Sequence, residues 1–150
     1  MPLTVAAILT AATLDAQEDI GPRDLGLSPK AIRAIYVRLA DNASGACWTN
    51  LREVRELAEE KLRILGYNVV DNIYAAKVPD FIFWIGVGAQ RDPFDTCDGS
   101  ISVSVQSMAR VDQFFGRFVL SPEVNRGVSS ASEDLNRGVI EAVEEMISHM

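Results

Sequence analysis

The sequence predicts an α+β fold, a two-layer sandwich in which a mixed sheet of four to five strands carries two amphipathic helices on one face. Three observations predict this fold. Several segments alternate apolar and polar residues, as strands do, and two segments place apolar residues in a stripe at helical spacing. Their order along the chain is strand, helix, several strands, helix. With 48% hydrophobic and 23% charged residues, the 150-residue chain can form one domain with a sizeable core.

The first strand and the first helix are predicted next to each other. In "AIRAIYVRLAD", residues 31–41, Ile35, Val37 and Leu39 alternate with more polar positions, which indicates a strand with one buried face. In "TNLREVRELAEEKLRILGY", residues 49–67, the period changes to that of a helix. Asn50 and Glu53 have the spacing of a capping box, and Gly66 stands where a left-handed C-cap is expected. The apolar stripe consists of Leu51, Val54, Leu57, Ala58, Leu62 and Leu65.

Three further strands follow a short candidate strand, "YNVVD", and a connection that ends at Pro79. The segment "DFIFWIGVGAQ", residues 80–90, is apolar on both faces and therefore resembles a central strand. The segment "GSISVSVQSMARV", residues 99–111, opposes valine and isoleucine to serine and glutamine, so one sheet face should meet water. In "GRFVLSPEVNRGV", residues 116–128, Pro122 suits an edge strand or a bulge.

The chain closes with a second predicted helix in residues 129–150. Ser130 and Glu133 form a candidate capping box there. The stripe that would dock this helix on the sheet consists of Leu135, Val139, Ala142, Val143, Met146 and Met150.

The N-terminal residues resemble a secretory signal peptide without its basic start. Residues 1–16 hold an apolar stretch that ends at Ala16 before polar residues, and the alternative is a buried segment of the mature fold. Residues 17–30 are interpreted as a linker arm, and residues 31–150 as the single domain. No apolar run approaches the ~20 residues that span a bilayer as a helix. The net charge of −7 and the scattered basic residues argue against nucleic acid as a partner.

The two cysteines, Cys47 and Cys97, are candidates for a disulfide bond, because an even pair in an exported chain favours one. The alternative is a pair of buried free thiols in a cytoplasmic protein. A bond would place the loop before the first helix next to the hairpin after residues 80–90. Those residues would then run parallel to the first strand, and "YNVV" would be a short edge piece or an extended connection.

The acidic loop "RDPFDTCDGS", residues 91–100, could hold calcium or carry acid–base chemistry through Asp92, Asp95 and Asp98. The carboxylates stand three residues apart with no distal Glu, which differs from a calcium-binding loop. Asp92-Pro93 and Asp98-Gly99 are turn dipeptides, and a short polar turn offers little burial to shift a pKa. We therefore interpret this segment as a hairpin turn, and predict neither a metal site nor a cofactor.

No nucleophile, phosphate-binding or zinc motif occurs in the sequence, so no catalytic residue is assigned. The predicted sheet face away from the helices is the best candidate for a binding site, because it combines aromatic rings with hydroxyl, amide and guanidinium groups. Its candidate binding residues are Tyr36, Arg38, Trp84, Ser102, Ser104 and Gln106, next to Ile82. The alternative is that a helix, the N-terminal arm or a second copy covers Ile82 and Trp84.

In "LAEEKLRILGYNVV", "PDFIFWIGVGA" and "CDGSISVSV" the chain resembles a group of short, uncharacterised exported bacterial proteins with a pair of cysteines. The resemblance covers roughly residues 30–150 and rests on structural motifs. It implies export, a bridge from Cys47 to Cys97 and an α/β sandwich, and it carries over no site residue. The weak leader of this chain departs from the pattern of the group.

These observations favour a non-enzymatic periplasmic or secreted protein that binds a partner protein or an envelope component across the open sheet face. Two alternatives remain. One is a small hydrolase or lyase that uses the carboxylates of the acidic loop, and the other is a purely structural homodimer joined through the open face.

Overall fold

The structure is a computed structural model that describes residues 27–72, 81–111 and 114–150, without the side chains of 108–111 and 114–122. The described residues form one sheet of four strands with two helices packed against it, which confirms the predicted α+β fold class. The elements are β1 (Ile35–Asp41), α1 (Leu51–Ile64), β2 (Phe81–Arg91), β3 (Cys97–Val111), β4 (Phe114–Ser130) and α2 (Ser132–Ser148). The predicted signal peptide, most of the predicted linker arm and the connection before Pro79 lie outside the described residues.

The sheet is mixed, with the strand order β1-β2-β3-β4. β1 and β2 run parallel, as the disulfide argument requires, and β2, β3 and β4 pair antiparallel. The segment "YNVV" contributes one isolated parallel bridge, between Val69 and Ile35, so it is an edge piece beside β1. A register shift lies between Ser104 and Val105, opposite the chain segment that contains Pro122, which agrees with the edge strand or bulge predicted there.

Both helices pack on the same side of the sheet, because their apolar stripes meet the apolar residues of the strands there. α2 contacts β3 and β4, and α1 contacts β1 and α2. The stripe of α2 is buried as predicted. In the stripe of α1, Val54, Ala58 and Leu62 are buried, whereas Leu65 at the end is 44% exposed. The sheet contributes Ile35, Val37, Phe83, Ile85, Val103 and Val105 to the same core.

Both predicted capping boxes are wrong in detail. Asn50 is the N-cap of α1, but its side chain makes no cap hydrogen bond and instead accepts one from Trp48 Nε1 at 3.0 Å. The N-cap of α2 is Ala131, one residue after the predicted Ser130. Asn50 bonds with Trp48 and with the carbonyl of Asn136 on α2, partners that the capping rule does not consider. Gly66 does adopt the expected left-handed conformation, with φ +93°.

Two polar contacts join the ends of α1 to distant parts of the chain. The side chain of Asn136 on α2 accepts from Thr49 N at 3.1 Å and donates to Thr49 Oγ1 at 2.8 Å, next to the start of α1. The hydroxyl of buried Tyr67 donates to the carbonyl of Leu27, which is itself buried in the core. Burial raises the pKa of Tyr67, because the charged phenolate would lose its hydration.

Candidate functional site

The candidate site is the sheet face opposite the helices, which we call the open face. Register places the predicted binding residues on it in rows that cross the strands. Tyr36, Ile82 and Gln106 form one row, and Arg38, Trp84, Ser104 and Glu123 form the next. Gly86, Ser102 and Asn125 follow, and then Gly88, Ser100 and Gly127. The alternation of the strands therefore predicted the membership of this face correctly.

A pair of side chains, Arg38 and Trp84, dominates the middle of the open face. The guanidinium carbon of Arg38 lies over the indole ring, 5.3 Å from its centroid, which is a cation–π distance. Arg38 is exposed and Trp84 is half-buried. The indole leans along β2 above Gly86, where a Cβ atom would come within 2.8 Å of Trp84 Nε1. Gly86 thus provides the space that lets the ring lie in this position.

One end of the open face is buried, so part of the predicted set of binding residues is wrong. Ile82 is 1% exposed, Ser104 1% and Gln106 8%, so these side chains cannot contact a partner in this conformation. Gln106 Nε2 donates to Ser104 Oγ at 3.2 Å, and Gln106 Oε1 has no hydrogen-bond partner among the residues that the structure describes. Alternation along a strand shows which face a residue belongs to, but it contains no information about whether that face is covered.

The other end of the open face is polar and accessible. Ser100, Asn125 and Gly127 are exposed, and Gly88 is partly exposed. Ser102 Oγ donates to Glu123 Oε1 at 3.3 Å. This end therefore offers hydroxyl, amide and carboxylate groups on a surface with small side chains.

The disulfide bond joins Cys47 to Cys97, as the even cysteine count and the resemblance predict. The Cα atoms lie 5.7 Å apart, and both residues are fully buried. Arg91 also joins the end of β2 to the loop that contains Cys47, because its Nε donates to Gly45 O at 2.6 Å and its Nη2 to Ala46 O at 3.2 Å. Protein disulfides persist in oxidising compartments and are rare in the cytosol.

The acidic loop forms the predicted turn between β2 and β3. Asp92 Oδ1 accepts hydrogen bonds from Phe94 N at 2.9 Å and Thr96 N at 2.8 Å, so this carboxylate stabilises the turn itself. Asp95 has φ +67° and pairs with Arg91, and Asp98 is exposed. Within the described ranges, no three His, Cys, Asp or Glu side chains come together in a group that could hold a metal ion.

A concave region that the sequence did not predict lies where the helices end. Two cavities, of about 210 and 290 Å³, share Leu65 and Met150 in their lining. The ion pair between Lys61 and Glu144, at 3.7 Å, borders one of them. Leu65 was predicted to be part of the buried stripe of α1, and its exposure at the helix end is the signal that marks this region.

No protein-family model and no curated protein matches the chain. Among solved structures, it is similar to the PelC dodecamer from Paraburkholderia phytofirmans, at 11% sequence identity and a TM-score of 0.47. That match covers 77% of this chain and 85% of the other. It is also similar to lipoprotein GNA1162 from Neisseria meningitidis, at 15% identity and a TM-score of 0.33, over 78% of this chain and 99% of the other. These similarities assign neither an activity nor a partner to the chain.

The helices of the described part of the chain are too short or too polar to cross a membrane.

Proposed function

We propose that the protein is a non-enzymatic, exported binding module, periplasmic or secreted, which engages a partner protein or an envelope component through its open face. The observation that carries this proposal is the Arg38–Trp84 pair, which lies on the sheet surface away from the core. Aromatic and arginine side chains are enriched at protein interfaces, where a large ring contributes contact area at low entropic cost.

The disulfide supports the proposed compartment. The bond between Cys47 and Cys97 is fully buried and lies at the junction of two loops, so it is part of the folded structure rather than an exposed thiol pair. Its formation requires an oxidising environment, which supports export. Thiol counting on protein taken from its native compartment tests this part directly, because two free thiols there would contradict export.

The proposal that the protein is not an enzyme rests on the contacts that the acidic side chains of the loop make. A hydrolase or lyase would need one of these carboxylates to face a bound substrate. Asp92, by contrast, holds two backbone amides of its own turn, and Asp95 pairs with Arg91. These contacts give the loop a structural role.

Trp84 provides the experiment that tests binding. The chain has two tryptophans, and Trp48 is buried, so a Trp48→Phe background makes Trp84 the reporter. We expect its emission to shift when detergent-solubilised envelope fractions are added. A pull-down from the same fractions, which needs no tryptophan signal, should show that Trp84→Ala weakens the interaction by at least about tenfold, as loss of an aromatic hot spot does, while the far-ultraviolet circular dichroism spectrum stays unchanged.

The matched control is Arg52→Ala, which removes an arginine whose side chain is 90% exposed on α1, in the other layer. This variant should bind like the wild type. Equal binding by Trp84→Ala and the wild type would refute the proposal. A mass in solution that doubles with concentration, and that Trp84→Ala abolishes, would instead identify the homodimer joined through the same face.

A further inference from the structure

The turn between β2 and β3 carries an exposed aromatic side chain. Among the described residues, Phe94 is the most exposed of the large apolar side chains, at 88%. The turn is held without this ring, because Asp92 Oδ1 accepts from Phe94 N and Thr96 N, and Asp92 N donates to Thr96 O at 2.8 Å. The disulfide holds the chain at the next residue, Cys97. The fold therefore presents an apolar ring to solvent on a backbone that is already ordered, and aromatic side chains that fill a pocket are typical anchors of interfaces.

The concave region at the ends of the helices contains a cavity that fits such a ring. The cavity of about 210 Å³, which we call the socket, is lined by Ser28, Pro29, Leu65, Tyr67 and Met150. Most of these side chains are apolar or aromatic, and the hydroxyl of Tyr67 is already bonded to a backbone carbonyl. An apolar cavity of about 150 Å³ is large enough to bind benzene. The socket therefore has the size and the lining to hold one phenyl ring.

Phe94 and the socket lie at opposite ends of the sheet. β2 begins beside Ile35, the first residue of β1, and its other end leads into the turn that carries Phe94. α1 begins at the disulfide junction and returns to the start of β1, where Asn68 O accepts from Ile35 N at 3.0 Å. The 11 residues of β2 span roughly 35 Å between these ends. One chain therefore cannot place its ring in its own socket, whereas a second copy can.

The charges around the ring and around the socket have opposite sign. The turn, residues 91–98, holds three aspartates against one arginine, and Asp95 and Asp98 are exposed. Lys30 is exposed and directly follows the residues 28–29 that line the socket. Lys61 lines the adjoining cavity, where it pairs with Glu144. The lysines attract the acidic turn of an approaching copy, which offsets part of the repulsion between chains of net charge −7.

We propose that copies of this chain associate head to tail, with Phe94 of one copy in the socket of the next. The inference goes beyond the proposed function, since it involves neither Trp84 nor the rest of the open face. The contact is heterologous, because each copy uses its ring at one end and its socket at the other, and repetition of the contact builds a ring or a filament. The ordered turn lowers the entropic cost of the contact. One anchoring side chain makes a small interface, so the association is weak, with a Kd between about 1 μM and about 1 mM.

Sedimentation velocity of the full chain over this concentration range measures the association. We expect the mean mass of the wild type to rise with concentration beyond that of two copies. Phe94→Ser removes the ring, and Leu65→Arg places a charged side chain at the socket; each should weaken the association by at least about tenfold. Both positions are exposed, Leu65 at 44%, so the melting temperatures should stay unchanged. If Leu65→Arg proves less stable, Ser28→Trp fills the socket from another side and replaces it.

A mixture of the two variants separates a head-to-tail contact from a symmetric one. Phe94→Ser keeps its socket and Leu65→Arg keeps its ring, so an equimolar mixture should form pairs and stop at two copies. The matched control is Ile64→Ser, which removes a 72% exposed apolar side chain at the same helix end that does not line the socket. This variant should associate like the wild type, and so should Trp84→Ala.

Four results would overturn the inference. The wild type could stay at the mass of one copy up to about 1 mM, whether or not Trp84 responds to envelope fractions, so this failure is separate from that of the proposed function. Association could survive Phe94→Ser, or the mixture of variants could fail to form pairs. Ile64→Ser could abolish association as fully as Leu65→Arg, which would indicate an unspecific apolar patch. Finally, Leu65→Arg could shift the amide resonances of residues 1–26 in a wild type that remains single, which would make the chain's own N-terminal segment the occupant of the socket.

Discussion

Removal of the Cys47–Cys97 bond should lower the free energy of unfolding by about 4 kcal/mol at 25 °C. The bond joins residues that are 50 positions apart, and loop-closure entropy for a loop of that length gives this magnitude. The effect arises in the unfolded chain, which gains conformational freedom when the bond is absent. In the folded chain, the contacts of Arg91 with Gly45 O and Ala46 O still hold the two loops together.

Urea unfolding followed by tryptophan fluorescence measures the effect in three samples: the oxidised wild type, the reduced wild type and the double variant Cys47→Ala, Cys97→Ala. The melting temperature should fall by roughly 10–20 °C on reduction. The double variant should lose somewhat more, because both cysteines are fully buried and the substitution also removes packed sulfur atoms. The difference between reduced wild type and double variant isolates this packing contribution.

A loss below about 1 kcal/mol in both samples would refute the reasoning, since it would mean that the unfolded chain is not constrained by the bond. A native-like circular dichroism spectrum of the reduced protein at low urea concentration is also expected. If that spectrum is lost, the reduced protein is unfolded even without urea, the loss of stability exceeds the entropic value, and the bond is required for the fold itself.

Two further predictions concern the ends of elements. Arg91→Ala removes donors to Gly45 O and Ala46 O and should cost about 1–2 kcal/mol in urea unfolding, and Arg91→Lys, which keeps the charge but loses the planar fork, should recover only part of this. An alanine variant as stable as the wild type would contradict that role. Gly66→Ala places a Cβ at φ +93° and should cost about 1–2 kcal/mol, whereas Gly66→Asn should cost less in the same urea unfolding measurements, because asparagine tolerates this region. Equal losses in the two variants would show that the left-handed conformation is not the reason.

The fold was largely predictable from sequence because its signals are periodic and repeated. The stripe of α2 and the alternation of β3 each contain several residues that give the same answer, so one irregular residue does not change the prediction. The strand direction came from a different kind of signal. One covalent bond between Cys47 and Cys97 excludes a β2 that runs antiparallel to β1, and the parallel register of the two strands agrees.

The caps were not predictable, because each depends on one residue with several competing partners. The Nδ2 of Asn50 does donate to Glu53 Oε2 within its own turn at 3.3 Å, but it also donates to the carbonyl of Asn136 at 3.3 Å, on a helix 86 residues away, and Oδ1 accepts from Trp48 and not from the helix backbone. A local rule that considers Asn50 and Glu53 alone cannot include a partner so distant in sequence. The same limitation applies to Ser130, whose hydroxyl donates to the carbonyl of Ala131, while Ala131 takes the N-cap position without a side-chain cap.

On the open face, the membership of residues was predictable but their exposure was not, and exposure limits where the proposed ligand could bind. Alternation assigned its residues correctly, since that is a property of each strand, but exposure depends on the rest of the chain. Ser104 and Gln106 are buried, and Ser100 and Gly127, which were not among the predicted binding residues, are exposed. Accessible polar groups therefore lie toward the Cys97 end of β3, close to the disulfide junction. A ligand held there would contact strands that the covalent bond and the turn of Asp92 keep in a fixed arrangement, so little ordering of the protein would oppose binding.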